Sequence, residues 1–296
     1  MFQRLLICTD FSDGLQRLVN FVSSFAAGGI ERLVFLHSIP FEDCEGVPRV
    51  DAKKIEHARD RLNVALNHDV TGIDVKVIVE PGRPVDLILK AAEEHAVDLI
   101  VVGTPTRSLL AEKLFGSTTI ELSQRLTVPL MILRPQLIAT YTSEELALRC
   151  RHLFRYLLVP YHGSDASKYL IQRLKESLQQ PTIGLQQLHL CWVVEGMRRR
   201  DVPVDYQLEA AQRELEAIAT ELTALKIAVD PVEVREGDPI VEVLAAAQTA
   251  DVSAIATTSS SLNKLLRWSV PQFTDELLRR SWHPIIYFPA GVKSSD

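Results

Sequence analysis

Most of this chain is written twice. The run "LLICTDFSDG" (5–14) returns as "LLVPYHGSDA" (157–166). "VEPGRPVDLILKAAEEHAVDLIVVGT" (79–104) returns as "VREGDPIVEVLAAAQTADVSAIATT" (234–258), and "VPLMILRP" (128–135) as "HPIIYFPA" (283–290). Pairing Asp10 with His162, Gly82 with Gly237, Asp98 with Asp251 and Pro129 with Pro284 gives separations of 152, 155, 153 and 155 residues, in unbroken order. A near-constant offset of this length marks a tandem duplication. It constrains the fold strongly, because any architecture taken by one copy must also suit the other. The 296 residues then divide into a first domain (1–135), a joining segment (136–153) and a second domain (154–296), each domain being of ordinary size.

Within the first copy, strand and helix patterns alternate. "RLLICT" is a short apolar run ending in turn residues, as expected of a parallel strand buried on both faces. Ser12 is placed to cap a helix running to about Ala27, with Leu15, Leu18, Val19, Val22 and Phe25 on one face. Gly28 and Gly29 stop it. "RLVFLHSI" reads as the second strand, 51–68 as a charged amphipathic helix and "DVKVIVE" as the third strand. Pro84 opens the next helix where proline is tolerated. "VDLIVVG", a helix over 117–126 and the strand "PLMIL" complete the set. Alternating βα units of this kind predict an α/β fold, a parallel sheet with helices on both faces. In the joining segment, "TSEE" (142–145) has the form of a capping box at the start of a short helix.

Composition narrows the function classes. The formal net charge of −6 argues against non-specific nucleic-acid binding, which needs a basic surface. "RRR" at 198–200 is the densest basic cluster and is followed at once by Asp201. No apolar run approaches the roughly 18 residues of a membrane span, and "MFQRLLICTDFSDG" lacks the form of a signal peptide. Cys8, Cys44, Cys150 and Cys191 are widely spaced, with no CxxC pair, as in reduced cytoplasmic proteins. His37 and His189 read as one repeated strand position. They are expected to be structural, since neither has a second ligand at metal spacing.

The ordered set "LLICTDFSDG", "FLHS", "PGRPVDLILKAAEEHAVDLIVVGT", a Gly-Ser helix start and "VPLMIL" resembles the universal stress protein family, over nearly the whole chain and twice. The family's nucleotide-binding members carry G-x2-G-x9-G-[ST] after the fourth strand. Here Gly103, Thr106 and Gly116-Ser117 keep that spacing with threonine at the middle glycine. The resemblance implies two open five-stranded parallel sheets of order 3-2-1-4-5. It also implies an adenine nucleotide (ATP, ADP or AMP, with Mg²⁺) bound in the first domain. In such an order a ligand crevice forms between strands 1 and 4, at their carboxyl ends. The residues expected there are Thr9 and Asp10 after strand 1, Ser38 after the strand-2 histidine, and Gly103, Thr104, Thr106 and Arg107 after strand 4. Gly116, Ser117 and Thr118 open the next helix, whose amide groups suit an anion. In the family the aspartate matching Asp10, and the position matching Ser38, help recognise adenine. Thr106 is β-branched and adds bulk toward the phosphates, while Arg107 is able to reach one.

In the second copy the expected site is degenerate. Asp10 is replaced by His162, Gly103 maps to Ala256 at an offset of 153, and the Gly116 helix start maps to about Ser269-Val270-Pro271. "TTSSSLNKLLRWSVPQ" (257–272) contains no glycine, and Trp268 adds bulk. The chain is therefore expected to be a nucleotide-binding regulatory or stress-response protein with one site and an unidentified protein partner. The alternative is a scaffold that acts through its surfaces and binds no nucleotide. With no Walker lysine and no paired carboxylates for a metal, efficient phosphoryl transfer is not expected.

Family members often join two domains through their fifth strands. "PLMIL" and "PIIYF" are apolar edges that call for a partner, and they are expected to run antiparallel within one chain as an intramolecular pseudo-dimer. Ile132→Lys then buries an unpaired charge and should lower the unfolding free energy by about 2–5 kcal/mol. An unchanged urea midpoint would exclude that arrangement.

Overall fold

The computed structural model describes residues 1–44, 47–104, 117–178, 184–195, 204–258 and 273–289. The chain divides into two compact units, Phe2–Arg151 and His152–Asp296.

The first unit begins with β1 (Arg4–Cys8), a 3-10 helix (Leu15–Phe21) running into α1 (Val22–Ala27), and β2 (Arg32–Ile39). A small antiparallel ribbon, β3 (Glu42–Cys44) with β4 (Val47–Arg49), precedes α2 (Ala52–Asn63). Then come β5 (Asp74–Pro81), α3 (Pro84–Glu94), β6 (Leu99–Gly103), α4 (Ser117–Arg125) and β7 (Leu130–Leu133). β5, β2, β1, β6 and β7 are neighbours in that order and all parallel, the 3-2-1-4-5 arrangement. Leu5, Leu6, Ile7, Leu33, Val34, Phe35, Leu99 and Ile100 lie at the centre, fully buried, which is why these strands read as continuous apolar runs. Asp98 pins the start of β1 by accepting the amides of Gln3 and Arg4.

The joining segment folds as α5 (Pro135–Thr140) and α6 (Ser143–Arg151), both part of the first unit. The capping box forms: the Thr142 amide donates to Glu145 Oε2 at 2.8 Å, and the Glu145 amide to Thr142 Oγ1 at 3.3 Å. Gly28 is bare for a packing reason, since a Cβ there would stand 2.5 Å from the Arg151 carbonyl oxygen. Ser12 does not cap the first helix. Its hydroxyl donates to Asp10 instead, and the Leu15 amide is taken by Asp13 Oδ1 at 2.9 Å.

The second unit holds β8 (Tyr156–Pro160), α7 (Asp165–Leu178), β9 (Gln187–Val194), α8 (Val204–Ala224), β10 (Ala228–Val229) and β11 (Glu233–Glu236). α9 (Pro239–Thr249), β12 (Ala254–Thr258), α10 (Phe273–Arg280) and β13 (Ile285–Phe288) follow. β9, β8, β12 and β13 repeat the parallel order of the first sheet. The third-strand position differs. In the first unit β5 pairs without a break from Asp74 to Pro81. In the second, β10 pairs as far as Val229 and β11 resumes at Glu233 opposite Cys191. Asp230, Pro231 and Val232 thus face only His189 and Leu190, a bulge with one extra residue.

The bulge turns Asp230 and Glu233 onto one histidine. His189, 8% exposed, has Nδ1 3.3 Å from Asp230 Oδ2 and Nε2 2.8 Å from Glu233 Oε2. Tyr156 and Gln187 donate to Asp230, and Arg235 bridges Glu233 and Glu242. The expectation that His37 and His189 share a repeat position fails. The amides of Thr9 and Tyr161 bond the carbonyls of Leu36 and Cys191, so His37 corresponds to Trp192, and His189 to Val34.

Burial pushes the Asp230 and Glu233 carboxyls up, but hydrogen bonds outweigh it. Those from Tyr156, Gln187 and His189 leave Asp230 below the ordinary carboxylate value, and those from Arg235 and His189 do the same for Glu233. Because the folded values are depressed, this stabilisation is complete above the unfolded carboxylate range near pH ~4 and is lost as pH falls through the folded values. Asp230→Asn with Glu233→Gln should cost about 1–3 kcal/mol at pH 7, and the gap from wild type should close in acid. A gap independent of pH in urea titrations would contradict this.

Candidate functional site

The first sheet grows from β1 in two directions, to β2 and β5 on one side and to β6 and β7 on the other. The carboxyl ends of β1 and β6 therefore flank the point where a crevice forms. Beyond Cys8 the chain turns through Thr9–Gly14, and its polar groups close on one another. Thr9 Oγ1 donates to Asp13 Oδ1 at 2.7 Å and accepts the Phe11 amide at 3.0 Å. Asp10 Oδ1 accepts the Ser12 amide, the Ser12 hydroxyl and the Asp13 amide at 2.7–3.1 Å. Asp10 is exposed, and its Oδ2 makes no bond among the described residues.

Asp13 went unnoticed in the sequence and is the buried centre of the loop. It is 6% exposed and also accepts the amides of Asp10 and Leu15. Burial pushes its carboxyl above the ordinary value, against the opposing pull of the bonds from Thr9 and Leu15. Asp13 also supplies a reason for Gly103, since a Cβ at 103 would stand 2.6 Å from Asp13 Cβ. This packing reason stands beside the expected one, close approach of a ligand. The one sequence signal was its position inside the repeated "DFSDG" run.

Two further residues complete this end of the crevice. Phe11 adopts φ 64, unusual for a bulky side chain. Its ring lies 4.3 Å from that of His37, and the Arg61 guanidinium sits 3.9 Å from its centroid, a cation–π contact. His37 Nδ1 is 2.8 Å from the Thr9 carbonyl, which fixes Nδ1 as the donor. Burial lowers the His37 pKa, and Arg61 adds to this, against the bond to Thr9 and the Asp10 carboxylate.

Of the expected site residues, Thr9, Asp10, Ser38, Gly103 and Thr104 come together at the carboxyl ends of β1, β2 and β6. Ser38 is half-buried and on the opposite face of β2 from His37. The Thr104 amide bonds the Leu133 carbonyl at 3.0 Å. Ser117 and Thr118 form the first turn of α4. Thr106, Arg107, Gly116 and the Ser117 side chain lie outside the described residues, as do 259–272 of the second copy. Among the described residues no cluster of His, Cys, Asp or Glu is placed to hold a metal ion, and no helix is long and apolar enough to cross a membrane.

The second unit fills the same place with its own side chains. Gly103 pairs with Leu133, and Thr258 pairs with Phe288. Its counterpart is thus Thr258, not Ala256 as the offset of 153 suggested. Thr258 Oγ1 donates to the Phe288 carbonyl at 2.7 Å. Asp165, the counterpart of Asp13, is exposed at the start of α7, and Ser164 Oγ accepts the Ser167 amide as a helix cap. Trp192 takes the place of His37. Its ring meets Tyr161 edge-on at 5.3 Å, and a Cβ on Gly163, the counterpart of Phe11, would stand 3.1 Å from it. Tyr161 is held in turn by Glu214 at 2.7 Å.

The profile of the universal stress protein family matches residues 1–134 and again 154–289. The chain belongs to the universal stress protein family. It carries the family's domain twice, and single-domain relatives match about half of it. A universal stress protein of Methanocaldococcus jannaschii is 25% identical over 155 residues, 45% of this chain and 96% of the relative. The universal stress protein YxiE of Bacillus subtilis is 27% identical over 148 residues, 45% of this chain and 100% of the relative. Among solved structures, a universal stress protein from Archaeoglobus fulgidus superposes with a TM-score of 0.63 at 20% identity, covering 98% of this chain and 100% of that one. That likeness concerns the fold alone.

The contact between Gly103 and Asp13 can be tested directly. Gly103→Ala should destabilise the first domain by about 1–3 kcal/mol through overpacking. Combined with Asp13→Gly, which removes the opposing Cβ, its further cost should fall well below that value. Additive costs in a double-mutant cycle would show that the two residues do not meet.

Proposed function

We propose that the first domain binds an adenine nucleotide, ATP or its ADP and AMP relatives, and that occupancy regulates what this stress-family protein contacts. The observation that carries this reading is the difference between the two copies at one crevice. The first copy leaves an open carboxylate oxygen on Asp10 and a half-buried histidine beside it, where the second packs Trp192 and Thr258. The nucleotide's base would lie toward β2, against Asp10 and Ser38. Its phosphates would lie beyond Gly103 and Thr104, near the amides that open α4, where a helix N-terminus favours negative charge. Thr106, Arg107, Gly116, Ser117 and Thr118 would line that end.

Mg²⁺ would arrive on the phosphate oxygens and keep its waters, as it commonly does. The sequence has no Walker lysine after its glycines, which supports a reading of a binding protein with at most slow hydrolysis. The second domain contributes no site of this kind.

Titration calorimetry with ATP and Mg²⁺ tests the assignment. Wild type should bind one nucleotide per chain. Gly116→Asp, which sets a carboxylate against the phosphates, should weaken binding at least about 100-fold, since a like charge is placed where an anion must sit. Pro271→Asp, at the position 155 residues further on, should leave binding unchanged. Two sites per chain, or loss of binding only in the second variant, would reverse the roles given to the two copies. No uptake of any adenine nucleotide at millimolar concentration would leave the scaffold reading.

A further inference from the structure

Both sides of the crevice are tied to the segment that leaves the first domain. On the β6 side, the Thr104 amide bonds the carbonyl of Leu133, the last residue of β7, and α5 opens at Pro135. On the β1 side, the loop ends at Gly14, where a Cβ would stand 3.7 Å from both the Pro135 carbonyl oxygen and Ile138 Cγ2. Three residues on, the Arg17 guanidinium donates to the carbonyls of Ile138, Ala139 and Tyr141, reaching Ala139 at 3.2 Å and Tyr141 at 3.1 Å. Carbonyls in the last turn of a helix have no partner within it, so Arg17 caps α5 from another element. α5 depends on such help, because six residues are too few to hold a helix in water. Arg149 of α6 lies 4.2 Å from the Tyr141 ring centroid, and α6 packs along the 3-10 helix and α1.

The element that carries Arg17 is under strain. Leu15–Phe21 is 3-10 helix for seven residues, where runs beyond three or four are uncommon, and it follows the left-handed Phe11. Its counterpart in the second domain begins as regular α-helix at Asp165. In the first domain, Asp10 holds the Ser12 hydroxyl and Asp13 the Leu15 amide, which denies the helix an ordinary start. As α-helix, seven residues would be shorter by roughly 3–4 Å, and Arg17 would be turned by roughly 60° relative to Gly14. That turn carries the guanidinium off the α5 carbonyls. We infer that Leu15–Phe21 is a two-state coupler between the crevice and the joining segment. In one state it is 3-10 helix and holds α5 docked; in the other it is α-helix and α5 is released. A nucleotide bound against Asp10 and Gly103 favours the first state, because the second rearranges the loop bonds of Asp10 and Asp13 that shape its site, and a ligand shifts an equilibrium by its differential affinity. This rests on the nucleotide reading above and goes beyond it by naming the element through which occupancy reaches the chain leading to the second domain. Coupling is reciprocal, so loosening α5 must also weaken the nucleotide.

Hydrogen exchange and calorimetry on the full chain test this. With saturating ATP and Mg²⁺, exchange over 135–141 in wild type should slow at least about 5-fold more than over α3, elsewhere in the same domain, 5-fold being the low end of ordinary coupling. Arg17→Met keeps a long stem and removes the donors. It should weaken ATP by about 5-fold or more, although the Arg17 guanidinium bonds α5 rather than the crevice. Exchange over 135–141 in this variant should be fast with and without ATP. Arg17→Lys keeps the charge without the planar fork and should restore part of both effects. ATP affinity unchanged in Arg17→Met overturns the inference while leaving nucleotide binding intact. Failure of wild type to bind any adenine nucleotide overturns the nucleotide reading and this inference with it. Should Arg17→Met not fold, wild-type exchange decides the matter, and equal slowing over 135–141 and α3 would refute the coupling.

Discussion

The first domain's crevice depends on one carboxylate pressed against one glycine. A buried Asp side chain is costly unless its oxygens are satisfied, and Asp13 is satisfied locally by the Thr9 hydroxyl and the amides of Asp10 and Leu15. Those bonds leave the turn little freedom. Phe11 is driven into the left-handed region and its ring onto His37, and Thr9 presents its carbonyl to the imidazole. The first helix also inherits its form. With Asp13 folded inward, it opens as seven residues of 3-10 helix before α1 begins. Such runs are uncommon at that length. All of this needs position 103 to carry no side chain, because Asp13 occupies that volume.

The second domain shows what the same backbone does without that contact. With Thr258 in place of the glycine there is no room for an inward carboxylate. Asp165 lies outside, Ser164 takes up the capping role that Ser12 does not perform, and α7 runs as a regular helix of 14 residues. The left-handed position passes to Gly163 without strain. The volume over the strand ends is taken by Trp192 and Tyr161. One substitution at the end of a strand thus travels with a different turn, a different helix start and a different neighbour across the crevice. Polarity lost at the crevice reappears elsewhere in the second copy, where the bulge at Asp230–Val232 gathers two carboxylates around His189.

The parallel strands and the capping box at Thr142 were legible because each rests on local pattern, whereas the strand order was legible only through the resemblance to the family. Apolar runs ending in turn residues mark buried parallel strands, and T-x-x-E satisfies its own amides. Register was less legible. Asp98 and Asp251 were paired at 153, yet the residues that share a left-handed turn are Ala96 and Asp251, at φ 48 and 52. An error of two residues keeps every side chain on its correct face of the sheet, so hydrophobic alternation gives no warning. It carried Gly103 onto Ala256 and hid the contrast with Thr258. The histidines misled for a similar reason: two residues of one type on equivalent strands looked like one position, although β9 places His189 level with Val34.

Asp13 was hidden for a different reason. Nothing in "TDFSDG" ranks its second aspartate above its first, and an exposed Asx turn is the ordinary role of such a residue. What distinguishes it is a contact with Gly103, 90 residues further along the chain, which only the sheet order creates. The same limit applies to His37, whose tautomer depends on a carbonyl 28 residues earlier in the chain. A strand pattern says which face of the sheet a histidine joins. It does not say which of the two ring nitrogens is already committed to the backbone.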